Sequence, residues 1–147
     1  MLGLVLTAVL LVAATVAIHA FGTTYWMRYL AHHYAGPDGN LKAHAALPAI
    51  TWTALVLMML HVIEVVVWAL AYLLLLPGDH LGTFEKATYF SVVTFTTLGY
   101  GDITLVEHDW RLLSGIESLI GVVLIGWTTA LLFMVVQRSW RSMTHGH

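Results

Sequence analysis

The chain has 147 residues and a mean hydropathy of +0.82, with 59% hydrophobic and only 10% charged residues. A single domain of this length cannot hide so much apolar surface from water, so the composition indicates a membrane protein in contact with lipid. A net charge of -2 provides no basic stripe for phosphates, which excludes a nucleic-acid partner, and the lack of cysteine excludes disulfides and thiolate metal sites.

The first apolar run extends from Leu2 to about Trp26, which is enough to cross a hydrocarbon layer of about 30 Å. We interpret it as a retained transmembrane helix within residues 1–30. A cleaved signal peptide is the alternative, but no basic residue precedes the run, and Ile18 and Ala20 make a poor cleavage site. Residues 31–46 follow as a polar loop containing a turn cluster of glycine, proline and asparagine.

Two further long apolar runs enclose a short segment. The second run, from about Leu47 to Leu76, predicts a tilted membrane helix, and the third predicts a helix over residues 110–138, followed by a tail of residues 139–147. Between them, residues 84–96 are too few to span the bilayer. They predict a re-entrant helix with Thr83 as its N-cap.

The basic residues predict the orientation of these helices. Arg28 and Lys42 lie between the first two runs, and Arg138 and Arg141 follow the third. With three spans, both places lie on the same side of the membrane, which the positive-inside rule makes cytoplasmic. We therefore expect the N-terminus and the re-entrant segment on the outer side, and the C-terminus in the cytoplasm.

The segment after the re-entrant helix, residues 97–102, reads Thr-Leu-Gly-Tyr-Gly-Asp. Glycine adopts left-handed backbone angles freely, and a strand alternating right- and left-handed residues can turn successive carbonyls to one side. Four such strands around an axis would form oxygen rings able to replace the water around an alkali cation. The segment resembles the selectivity filter of the potassium channel pore-domain family, bacterial type, with Leu98 where valine or isoleucine is usual.

The resemblance covers residues 47–138 and implies an outer helix, a pore helix, a filter and an inner helix, with the first helix as an addition. It implies a fourfold, homotetrameric assembly in the lipid of a bacterial inner membrane. Such an assembly would conduct K⁺ passively, with no cofactor and no enzymatic step. By this resemblance the ion ligands are Thr97, Leu98, Gly99, Tyr100 and Gly101, the filter mouth is Asp102, and the filter supports are Tyr89, Phe90, Thr96 and Glu117.

The chain departs from the family at one position that matters for the filter. Many members pair the final Asp of the filter with a carboxylate on the pore helix, whereas Val93 occupies that position here. We therefore expect Asp102 to lack that partner. Two alternatives follow: a weakly selective cation channel, and a non-conducting channel-like assembly or accessory membrane protein.

The inner helix contains candidates for gating. Gly121 and Gly126 could form a hinge, because glycine weakens a helix, or they could allow close helix packing. Val122, Ile125 and Thr129 recur at helical spacing and could line the cavity, although a packing or lipid-facing stripe has the same spacing. No helix carries the repeated arginines of a voltage sensor, so an unidentified regulatory partner is one of the remaining possibilities.

Polar residues inside the second run provide a last group of candidates. His61 and Glu64 are one turn apart and share a helix face, so they are a candidate pH-sensitive pair or a structural polar contact. Together with His32, His33 and His44, they suggest a different class of protein, a membrane-embedded metal enzyme. That class needs histidines converging at one depth, whereas neighbouring histidines on a helix point apart, so we expect no enzyme.

Overall fold

The computed structural model describes residues 2–34, 45–76, 81–105 and 108–144. These ranges contain four helices: α1 (Leu2–Tyr34), α2 (Ala46–Leu75), α3 (Phe84–Phe95) and α4 (His108–Thr144). By length and composition, α1, α2 and most of α4 can each cross a membrane, whereas α3 has only 12 residues. The prediction of an all-α membrane protein, with three spans and a short helix between the second and third, is confirmed.

The ends of two helices differ from the prediction. α1 continues to Tyr34 instead of ending near residue 30, and α4 begins at His108 and continues to Thr144, so much of the predicted tail is helical. Hydropathy marks where a helix leaves the bilayer, and the polar residues that follow are compatible with further helical turns. α2 and α3 match their predicted bounds to within one residue. The predicted turn cluster and His44 lie outside the described residues.

Two hydrophobic clusters lie at opposite ends of the bundle. One combines Ala8 of α1 with Trp68 of α2, Phe90 of α3 and Leu113 of α4. The other combines the end of α1, the beginning of α2 and the end of α4. α2 therefore runs antiparallel to α1 and α4, and the basic ends of α1 and α4 lie away from α3.

α1 packs along α2 through a small residue and two hydrogen bonds. A Cβ atom on Gly22 would lie only 2.4 Å from Cδ2 of Leu60, so glycine allows the two helices to approach. The indole of Trp26 donates to Oγ1 of Thr53 over 2.9 Å, and a similar bond joins Trp68 to α1. In lipid, apolar burial does not drive helices together, because the lipid tails are equally apolar. Helix pairs are stabilised instead by small residues that allow close packing and by interhelical hydrogen bonds.

α3 lies between α2 and α4, and its position is set at both ends. At its N-terminus the side chain of Thr83 accepts a hydrogen bond from the Lys86 amide, which confirms the predicted N-cap. At its C-terminus the hydroxyl of Ser118 on α4 donates to the carbonyl of Thr94 over 2.9 Å. A Cβ on Gly121 would lie 2.0 Å from the Phe95 carbonyl oxygen, so α4 passes directly against the end of α3.

Candidate ion-binding site

The backbone after α3 alternates in handedness. φ is 59° at Thr97, 56° at Gly99 and 78° at Gly101, and these positive values alternate with Leu98 and Tyr100. Among the described residues, Thr97 is the non-glycine residue with positive φ. A β-branched residue adopts this conformation only when its surroundings impose it. The alternation that can direct successive carbonyls to one side is therefore present.

The amide groups of this segment are held by the end of α3. The N–H groups of Leu98 and Gly99 both donate to the Val93 carbonyl, over 2.9 and 3.2 Å, and that of Thr97 donates to Thr94 over 3.0 Å. A helix leaves its last carbonyls without partners inside the helix, so the segment satisfies them. In the described part of the chain, the carbonyl oxygens of residues 97–101 accept no backbone hydrogen bond and are free to contact an ion.

The outer end of the segment has a partner that the sequence did not predict. The phenol of Tyr89 donates to Oδ2 of Asp102 over 2.7 Å. Asp102 therefore has a hydrogen-bond partner on α3, although Val93 provides no carboxylate for it. Tyr89 lies one turn before Val93 on the same face of α3, and its longer side chain reaches the carboxylate that a valine cannot hold. The hydrogen bond to Asp102 is also the main cause that raises the pKa of Tyr89.

A buried polar network lies behind the segment. Glu117 of α4 is fully buried; its Oε2 accepts from the Tyr72 hydroxyl over 2.7 Å, and its Oε1 accepts from Ser91 of α3. The carboxylate thus joins α2, α3 and α4 at the level of the pore helix. The contact expected between Glu117 and the pore helix exists, and its effect on the filter stays a prediction.

The side chains of two other predicted supports, Phe90 and Thr96, contact α2 and α3. The ring of Phe90 packs edge-on against Tyr72, with 5.2 Å between the centroids, so it faces the outer helix. Oγ1 of Thr96 donates to the Val92 carbonyl within α3. Among these residues, Tyr89 makes a side-chain hydrogen bond to the segment, and the support of a filter by Tyr89, Phe90 and Thr96 stays a prediction.

The predicted gating residues share the uncovered side of α4. Val122, Ile125 and Thr129 are exposed in the single chain, and a Cβ on Gly126 would meet nothing within 4 Å. Gly121 differs because it lies against α3, so close packing explains it. Cavity lining by the exposed residues and bending at Gly126 stay predictions.

The pair of His61 and Glu64 belongs to a larger cluster. Nδ1 of His61 lies 2.9 Å from Oε2 of Glu64, and Nδ1 of His19 lies 2.8 Å from Oε1. Sequence reasoning missed His19, although Thr15, His19 and Thr23 recur every four residues and mark one polar face of the first apolar run. A response of the pair to pH stays a prediction.

Two of the histidines considered for a metal enzyme, His32 and His33, do not join this cluster. The ring of His33 stacks on Tyr29 at 4.2 Å, on the exposed surface near the end of α1, and His32 lies beside it. His61 meets His19 instead, near the middle of the spans.

Three membrane helices and a short helix that holds a backbone segment of alternating handedness define a membrane protein of the channel pore type. Residues 50–138, from α2 into α4, match the profile of a family described as ion channel, and the chain belongs to this ion channel family. α1 lies outside the matched residues. The search of solved structures gave no match for this chain.

Proposed function

We propose that the chain forms a potassium-selective channel as a homotetramer and conducts K⁺ passively. The observation that carries this proposal is the alternating backbone at residues 97–101, whose first three amides donate to α3 and whose carbonyls accept no backbone hydrogen bond in the described part of the chain. Carbonyl rings of this type replace the hydration shell of K⁺. Thr97 would supply the innermost ligands, Leu98, Gly99 and Tyr100 the next rings, and Gly101 the outer mouth.

The electrostatics of α3 favour a cation at this place. The C-terminal end of a helix carries a partial negative charge, equivalent to about half an elementary charge. α3 ends at Phe95, two residues before the first proposed ligand. In a fourfold arrangement, four such ends and four carboxylates of Asp102 would surround one axis.

The exposure of residues 97–102 supports a multimeric pore. All six are exposed in the single chain, Leu98 by 55% and Tyr100 by 66%. Irregular backbone at membrane depth does not face lipid; it must be covered by protein or line water. Other copies of the same chain, related by a closed rotation axis, would supply that cover.

The topology supports a defined orientation in the membrane. The ends of α1 and α4, with Arg28 and Arg138, lie opposite the end that holds α3. By the positive-inside rule, the cytoplasm would lie on the basic side and the filter would open outward. We assign the protein to a bacterial inner membrane by the same resemblance that suggests potassium.

Selectivity for potassium over sodium is a more specific proposal than ion conduction. The weakly selective alternative arose from an unsupported Asp102, and the hydrogen bond from Tyr89 removes that reason. No structural observation favours the non-conducting alternative, so it remains an outcome of the experiment.

The test is ion flux from proteoliposomes with potassium or sodium, for the natural chain, Gly99→Ala and Gly3→Ala. Alanine at position 99, where φ is +56°, costs about 1–2 kcal/mol per chain in the left-handed region. Gly3 is helical with free space around it, so Gly3→Ala is the matched control. We expect potassium-selective flux that only Gly99→Ala abolishes. Equal sodium and potassium flux would refute selectivity, and no flux from an intact assembly would refute conduction.

A further inference from the structure

A polar cluster inside the membrane part of the molecule joins the added helix α1 to the pore domain. His19 of α1 and Glu64 of α2 are fully buried, and the side chain of His61 is only 14% exposed. Ionisable groups inside a membrane are costly and usually mark a function. We propose that His19, His61 and Glu64 bind a divalent transition metal ion of the Zn²⁺ type, which fastens α1 to the pore domain.

With both histidines neutral, the cluster without a metal has one hydrogen-bond donor too few. When the two neutral rings donate from Nδ1 to the ionised Glu64, both Nε2 atoms are acceptors. They face the same hydroxyl of Thr128, with Oγ1 2.9 Å from Nε2 of His61 and 3.5 Å from Nε2 of His19. A hydroxyl donates only one hydrogen, so one buried imidazole nitrogen has no donor.

A metal on the Nδ1 side resolves this mismatch. Each histidine would then bind the ion through Nδ1 and carry its hydrogen on Nε2, and the two lone pairs of the Thr128 hydroxyl could accept both hydrogens. Metal-binding histidines normally donate their second N–H to such a partner, which fixes the ring orientation. In this arrangement both Nδ1 atoms bind the ion and both Nε2–H groups have an acceptor.

The ligand geometry fits with small movements. One ligand atom from each of the three residues lies within 4.8 Å of the others. Bonds to zinc are about 2.0–2.2 Å long, so neighbouring ligands on a tetrahedral ion lie about 3.4 Å apart. The separations from Nδ1 to the carboxylate oxygens, 2.8 and 2.9 Å, are already close to this value. Side-chain shifts of about 1 Å would place these three ligands on the ion, and a water or the second oxygen of Glu64 would take the fourth tetrahedral position.

The ligand types and the surroundings select the kind of ion. Two imidazoles and one carboxylate suit Zn²⁺ and its neighbours, whereas Mg²⁺ and Ca²⁺ prefer oxygen ligands, as does the permeant ion proposed above. Glu64 would neutralise half of the ion's charge. The ring of His61 lies 5.8 Å from that of Phe95, the last residue of α3, so the remaining charge lies near a helix end that favours cations.

The test measures binding on the full-length protein in detergent after removal of metals with a chelator. Zn²⁺ is titrated against a competing chelator, and Co²⁺ serves as a spectroscopic probe of nitrogen ligation. The variants are His19→Gln and Glu64→Gln, and His33→Gln is the matched control because it removes an exposed histidine from the same helix. If His19→Gln does not give an intact protein, His61→Gln replaces it.

We expect about one Zn²⁺ per chain in the natural protein and in His33→Gln, and at least a tenfold weaker affinity when a residue of the cluster is changed. Zn²⁺ should also raise the melting temperature of the natural protein but not that of His19→Gln. Equal affinity in His19→Gln and the natural chain, or a Co²⁺ spectrum without nitrogen ligands, would overturn the proposal. The assay measures no flux, so its result is independent of whether the pore conducts potassium.

Discussion

Replacing Gly121 by alanine tests whether α4 must touch the end of α3. A Cβ at this position would lie 2.0 Å from the Phe95 carbonyl oxygen, whereas ordinary contacts begin near 3.4 Å, so one helix must move by about 1.4 Å. The Phe95 oxygen belongs to the backbone of α3, and the added Cβ is fixed to the backbone of α4. No flexible side chain can therefore move aside to relieve the clash. We therefore expect a cost near the upper end of the usual overpacking range, about 3 kcal/mol.

The assay for this prediction is thermal unfolding of the purified protein in detergent, with Gly126→Ala as the control. Gly126 lies five residues further along the same helix, and a Cβ there meets nothing within 4 Å. For Gly121→Ala, a cost of about 3 kcal/mol lowers the melting temperature by roughly 6–12 °C. Gly126→Ala should be neutral or more stable by up to about 1 kcal/mol, because alanine favours helix. Equal melting temperatures for the two variants would refute the close contact.

Three further predictions concern the polar contacts of Tyr89 and Glu117. Tyr89→Phe removes the hydrogen bond to Asp102, and we expect a lower potassium-to-sodium flux ratio; an unchanged ratio would show that the contact does not support the filter. Because the folded-state pKa of Tyr89 is raised, this bond should persist below about pH 10 and be lost only as the pH rises through the folded pKa, so the ratio should be constant between about pH 7 and 9. Glu117→Ala leaves the buried Tyr72 hydroxyl without its acceptor, at about 1–3 kcal/mol, whereas the Ser91 hydroxyl can still donate to the Val65 carbonyl. Its melting temperature should fall clearly below that of the exposed-site variant Glu85→Ala, and equal values would contradict a structural role of the network.

The sequence predicts the features that depend on neighbouring residues. Three apolar runs define the spans because the bilayer fixes the length of a helix that crosses it. The glycines at 99 and 101 predict left-handed backbone, and the structure extends the pattern to Thr97, whose φ is imposed by bonds to α3. Helix ends are predicted less well, since hydropathy changes at the membrane surface and not where the backbone leaves the helix.

Contacts between distant parts of the chain are the features that the sequence does not predict. His19 and Glu64 are 45 residues apart, and their pairing depends on the register of α1 against α2, which Gly22 and Trp26 set. The sequence likewise shows no partner for Asp102 at position 93, which is a valine, whereas a tyrosine one turn earlier reaches it. Such pairings follow from packing and have no local pattern of residue types.

The end of α3 is attached to α4 at two points, and this has a mechanical consequence. The Thr94 carbonyl accepts from both the Thr97 amide and the Ser118 hydroxyl, and one turn further along α4 Gly121 touches Phe95. A tilt or rotation of α4 must therefore either break these contacts or move the first turn of the ion-binding segment with it. In a conducting assembly, a displacement of α4 that reaches Ser118 and Gly121 would be transmitted as strain to the ion-binding segment.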